Sequence, residues 1–164
     1  MLGTLVGVTL GMVLLTACGS APDDANSSTS SPGASTPTDE STPSPTATPV
    51  RITIGDTVLT AHLFDNSTAH DLAAQLPLTL TFRDLNGVEK TAPLPRKLSV
   101  EGMPSGDEPN VGDIGYWAPD GDLVFYYGDV GYWTGIMRIG EFDGDMSAIA
   151  QQSGDVTATV ERAL

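Results

Sequence analysis

From residue 50 onward, apolar and polar side chains alternate with a period of two. Ile52 and Ile54 open the pattern, and Leu59, Ala61 and Leu63 continue it with Thr60 and His62 on the opposite side. Leu78, Leu80 and Phe82 alternate with Thr79, Thr81 and Arg83, and Val156, Ala158 and Val160 with Thr157, Thr159 and Glu161. Such alternation predicts strands with one buried face. Turn residues separate the runs. Asn86-Gly87 calls for a tight hairpin, Pro119-Asp120-Gly121 joins a run at 114–117 to one at 123–127, and Gly55-Asp56 makes a third turn.

Two stretches switch to helical spacing. Ala69, Leu72, Ala73 and Leu76 fall at i, i+3, i+4 and i+7, one apolar face. Ser67 or Thr68 is the expected cap, with Thr68 and Asp71 as a capping box, and Pro77 ends the helix. A shorter helix, capped by Asp145, is expected from Met146 to Ala150, offering Met146, Ile149 and Ala150 to the core. About eight strands and two short helices predict a mainly β fold. Closing them into an eight-stranded barrel, with the helices plugging its ends, leaves no sheet edge exposed.

The first 49 residues follow other rules. Residues 5–15 are an apolar run about the length of a signal-peptide core, too short to span a ~30 Å hydrocarbon layer comfortably. The run closes on Leu15-Thr16-Ala17-Cys18, which contains the single cysteine. Small residues before a cysteine resemble the lipobox of bacterial lipoproteins. That resemblance implies cleavage before Cys18, a thioether-linked diacylglycerol on its sulfur, and a lipid-anchored, extracytoplasmic protein whose partner is the bilayer. No Lys or Arg precedes Arg51, so a positive n-region is missing. Either a start lies upstream of Met1 or export here tolerates a neutral n-region. Residues 19–49 are dominated by Ser, Thr and Pro with a few acids. Such a segment buries too little apolar surface to offset its conformational entropy and is expected to be a disordered, partly extended tether. The expected organisation is a signal peptide at 1–17, the lipidated cysteine with its tether at 18–49, and a folded domain at 50–164.

Charge narrows the partners. Twenty-one acidic residues against seven Lys and Arg give a net charge of −14. Nucleic-acid binding requires clustered cations, and the sequence has no such cluster, so nucleic acid is not expected as a partner. His62 and His70 have neither a cysteine nor the spacing of a zinc site, and Asp120-Gly-Asp122 and Asp143-Gly-Asp145 lack the rest of a calcium loop. No metal or cofactor is expected. No serine sits in a Gly-x-Ser-x-Gly context, so an elbow-type hydrolase has no support.

The candidate chemistry is aromatic. Tyr116, Trp117, Phe125, Tyr126, Tyr127, Tyr132 and Trp133 all fall between 116 and 133. Alternation sends half of them to the core. The rest, with Tyr132 and Trp133 in a loop at 128–134, either line a recessed surface or complete the barrel's rim. The candidate ligand-binding set is therefore Tyr116, Trp117, Tyr126, Tyr127, Tyr132 and Trp133, with Arg83 and Arg96 as cations able to hold a carboxylate or to pair with neighbouring acids. The unpatterned stretch 101–112 is either an overhanging functional loop or a plain connection.

Several short segments resemble the small bacterial cyclophilin-like domain family: Ile52-Thr53-Ile54-Gly55, Asp65-Asn66-Ser67-Thr68-Ala69 within 59–80, Leu94-Pro95-Arg96-Lys97-Leu98, Gly112-Asp113-Ile114 and the run from Leu123 to Gly128. The resemblance spans nearly all of 50–164 and implies a closed eight-stranded cyclophilin-like barrel, in a family whose biochemical role is largely unassigned. Cyclophilins isomerise X-Pro bonds with an arginine in a Phe-His-Arg context. None of the arginines here matches, so no catalytic residue carries over. Two readings follow: a non-catalytic module binding a peptide or small-molecule ligand, and a divergent peptidyl-prolyl isomerase acting on exported proteins.

Overall fold

In the computed structural model of the protein, which describes residues 47–164, the alternating runs close on themselves. The strands are β1 (Thr48–Ile54), β2 (Thr57–Leu63), β3 (Leu78–Leu85), β4 (Glu89–Pro93), β5 (Gly106–Asp107), β6 (Asp113–Trp117), β7 (Asp122–Tyr126), β8 (Trp133–Thr134), β9 (Ile136–Phe142) and β10 (Val156–Arg162). Eight of them form an antiparallel closed barrel in the order β1-β10-β3-β4-β7-β6-β9-β2, and β5 and β8 pair as a separate two-stranded ribbon. Cys18, the expected signal peptide and most of the expected tether lie outside the described residues. The first strand begins at Thr48, two residues before the expected boundary.

The period-two pattern sets the interior. Val50, Ile52, Leu63, Phe82, Ala92, Ile114, Leu123, Phe125, Ile139, Ala158 and Val160 are buried in one continuous core. Phe82 stacks on Phe125 with ring centroids 4.4 Å apart, and Phe125 meets Phe142 edge-on at 5.2 Å. Rings packed this way gain about 0.5–1.5 kcal/mol beyond the area they bury.

The hairpins form where the turn residues predict. Asn86 and Gly87 both adopt positive φ, 57° and 68°, in a tight turn closed by the Val88 N–H donating to the Leu85 carbonyl. Gly121, at φ 87°, returns the chain from β6 to β7, and its N–H donates to the Trp117 carbonyl.

The helices plug opposite ends. Helix α1 (Ser67–Gln75) buries Ala69, Leu72 and Ala73, and its Ala73 carbonyl accepts from Arg162 at the far end of β10. Helix α2 (Ser147–Ala150) lies beside the start of β10, and the Gln152 carbonyl just beyond it accepts from Lys90.

Capping departs from expectation at both helices. Asn66, not Ser67 or Thr68, accepts the Ala69 N–H at 2.9 Å. Thr68 and Asp71 are engaged elsewhere: Thr68 donates to the Ser99 carbonyl, and Asp71 accepts the Ser99 N–H. The supposed capping box is a clasp for the 94–101 segment. In α2, Asp145 does accept the Ser147 N–H, but Ala150 is exposed and only Met146 and Ile149 reach the core.

Candidate functional site

The strands that bury Phe82, Ala92, Phe125 and Tyr116 inward must turn their intervening residues outward. Cross-strand register arranges those outward residues in rows. Arg83 of β3 sits opposite Thr91 of β4, Thr91 opposite Val124 of β7, and Val124 opposite Gly115 of β6. One step along, Leu85 is opposite Glu89, and Glu89 is opposite Tyr126. On the other side, Asp122 is opposite Trp117, and Trp117 opposite Ile136. This outer face is apolar at its centre. Val124, Tyr126 and Ile136 are buried, and Trp117 and Val130 pack against them as a second, smaller core outside the barrel.

Two devices turn this face into a groove. Gly115 lets the Tyr126 ring lie across β6, since a Cβ at that position would come 2.5 Å from the ring. The 127–135 loop then folds back as a roof. Its strand β8 pairs with β5, Asp107 opposite Trp133 and Gly106 opposite Thr134, and the Gly135 N–H donates to the Ser105 carbonyl. The 101–112 stretch therefore acts as the buttress that holds Trp133 in place. The result is a cavity of about 500 Å³ lined by residues of β3, β4, β6, β7 and the roof, among them Trp117, Tyr126 and Trp133. That volume falls within the ~300–1,000 Å³ common for small-molecule sites.

Hydrogen bonds fix the walls. The Trp117 indole N–H donates to Asp120 Oδ2 at 3.1 Å, and the Trp133 indole N–H donates to the Val130 carbonyl at 2.9 Å. Both polar handles are thereby occupied within the protein, leaving carbon surface for a ligand.

The charged groups divide by their partners. Arg83 bonds Asp122 Oδ2 at 3.2 Å, and Thr91 donates to the same oxygen at 2.7 Å, so this buried carboxylate and the lone lining cation offset each other. Glu89 is different. Burial raises its carboxyl above the usual range, and no described residue bonds or pairs with it to offset that cost. Burial, reinforced by the nearby carboxylates of Glu89 and Asp113, also pushes the Tyr126 phenol far up.

Of the eight candidate residues, the structure gathers four in this groove: Trp117, Tyr126, Trp133 and Arg83. The other four lie elsewhere. Tyr116 is inside the barrel, where its oxygen accepts the Leu98 N–H. Tyr127 donates to Asp84 at the end of the barrel next to α2, its lower mouth. Tyr132 is exposed, with its hydroxyl beside Gly106. Arg96 pairs with Asp71 of α1, which draws that carboxyl below its usual range. Sequence reasoning missed Glu89, Asp122, Asp129, Val130 and Ile136 as lining residues. The parity shared by Asp122, Val124 and Tyr126 is the one local signal that points to any of them.

A barrel of eight antiparallel strands with plugging helices and a groove on its outer wall defines a cyclophilin-type fold. The model of the cyclophilin-like family matches residues 52–161, and the chain belongs to that family. Among solved structures it is similar to the solution structure of a hypothetical protein from Archaeoglobus fulgidus, at 19% identity and a TM-score of 0.58, over 72% of this chain and 96% of that one. That likeness is one of fold. No curated protein matches the chain.

Proposed function

We propose that the protein is a lipid-anchored extracytoplasmic lipoprotein whose cyclophilin-like barrel is a non-catalytic module binding a peptide or small-molecule ligand. The anchor rests on Leu15-Thr16-Ala17-Cys18. The binding role rests on one observation above the others: a roofed cavity on the barrel's outer wall, with two hydrogen-bonded tryptophans beside it. The groove is not needed to close the barrel, whose own core is continuous on the other side of the same strands. Rigid aromatics provide contact area at low entropic cost.

The anchor is tested by metabolic labelling with an alkyne palmitate. Label on the protein that disappears in Cys18→Ala supports it, and an unlabelled protein refutes it.

One observation favours the second reading. Arg83 stands in the groove beside the aromatic wall, as an isomerase arginine would. A protease-coupled proline isomerisation assay separates the two readings. The binding-module reading predicts no turnover above background, and turnover lost in Arg83→Ala would replace it with the isomerase.

A further inference from the structure

The charges around the groove do not balance. Glu89, Asp120, Asp122 and Asp129 line it against the single cation Arg83. Arg83 and Asp122 neutralise each other. Asp120 and Asp129 receive only neutral N–H donors, from the Trp117 indole and the Gly131 backbone, and have no cationic partner among the described residues. Glu89 has burial and no partner among the described residues. An anionic ligand would meet three uncompensated carboxylates, and a neutral one would leave Glu89 buried and unpaired.

A second observation points the same way. Tyr126 is 1% exposed and sits directly opposite Glu89 on the groove floor. Its hydroxyl bonds to no described residue, and burial and charge alone account for its shift. No fully enclosed side-chain oxygen or nitrogen among the described residues lacks a partner. This hydroxyl is therefore not fully enclosed, and Tyr126 lines the cavity. A carboxylate and an unsatisfied phenol oxygen, next to the carbon surface of two indoles, form a receptor for a positive group on an apolar stem. The stem packs on the rings, the cation gains cation–π and charge-assisted contacts, and Glu89 acquires the partner it lacks.

We infer that the groove takes an extended peptide through a lysine or arginine side chain, which Glu89, Tyr126 and the Trp117 and Trp133 walls receive. This rests on the binding-module reading above. The net charge of −14 draws such a partner in.

The test titrates the full chain with Ac-Ala-Lys-Ala-NH2, its norleucine and glutamate counterparts, and n-butylammonium. The lysine peptide should bind at least about tenfold tighter than the norleucine and glutamate peptides. Glu89→Gln should erase most of that preference, and Asp129→Asn part of it. Equal affinity for the three peptides, preference for glutamate, or a lysine preference indifferent to both substitutions overturns the assignment while leaving the groove a binding site. Butylammonium binding as tightly as the lysine peptide overturns the peptide and retains the cation. Binding by none of the probes overturns this inference and the reading beneath it.

Discussion

Glu89 and Lys90 are neighbours on β4, yet the barrel treats them in opposite ways. Lys90 turns inward and is fully buried. Its ammonium donates to Asp84 Oδ2 at 2.8 Å and to the Gln152 carbonyl at 2.7 Å, with the Tyr127 ring 5.8 Å away. Glu89 turns outward into the groove, is half-buried, and has no such partner. A protein that buries a charge for stability surrounds it with counter-groups. One that leaves a half-buried charge unpaired carries the cost for another reason. The lower mouth of the barrel is thus structural, and the outer groove is where a ligand is still to be supplied.

Lys90→Met gives the largest expected break in this contrast. It leaves the Gln152 carbonyl without its donor and Asp84 with only the Tyr127 hydroxyl and the Gly87 N–H, and should cost about 2–3 kcal/mol in urea denaturation, as loss of a charged donor does. A cost below about 1 kcal/mol would mean the lower mouth is not a structural lock.

Gly115→Ala acts on the groove floor. The new methyl collides with the Tyr126 ring, and relieving that clash should cost about 1–3 kcal/mol. The same variant should weaken ligand binding, because the ring that carries the free hydroxyl has to move.

Acid should separate the two regions without mutation. Lys90 first, and then Tyr127, hold the Asp84 carboxyl down from 3.8 to about 2. A carboxyl lowered in the folded state contributes stability that is full above its unfolded value and lost as pH falls through the folded one. The lower mouth should therefore loosen between about pH 4 and pH 2 in near-ultraviolet circular dichroism. Asp84→Asn should lack that component.

The smallest effects belong to the groove. Trp133 is 59% exposed, so Trp133→Ala should cost less than about 1 kcal/mol of stability while abolishing binding. Glu89→Gln should change stability by no more than about 0.5 kcal/mol, in the stabilising direction at neutral pH, because it removes a charge that burial disfavours. A large loss from either would mean that Trp133 or Glu89 serves the fold rather than a ligand.

Much of the barrel was legible because alternation is local. That Tyr116 and Trp117 face opposite sides of their strand follows from counting by two, but not which of them faces in. The Asn86-Gly87 and Gly121 turns follow from backbone chemistry. What was hidden depends on register and on distant partners. Nothing near Glu89 in the sequence says that it lies opposite Tyr126, and nothing near Arg83 says that Asp122 will take its charge, because strand pairing is set over the whole barrel. The ribbon of β5 and β8 was invisible because two-residue strands carry no period. Thr68 and Asp71 mimic a capping box closely, and only the folded 94–101 segment reveals that they clasp Ser99. Arg96 was a plausible anion holder until α1 placed Asp71 beside it.

The chain has two tryptophans, Trp117 and Trp133, and both line the groove, so indole emission reports on that surface directly. Titrating the full chain with Ac-Ala-Lys-Ala-NH2 should shift the emission saturably. In Trp133→Ala the saturable change should vanish while the urea midpoint stays near that of the wild type. An emission spectrum indifferent to the peptide, or a Trp133→Ala variant that unfolds before it can be titrated, would contradict the assignment of the outer groove as the binding face.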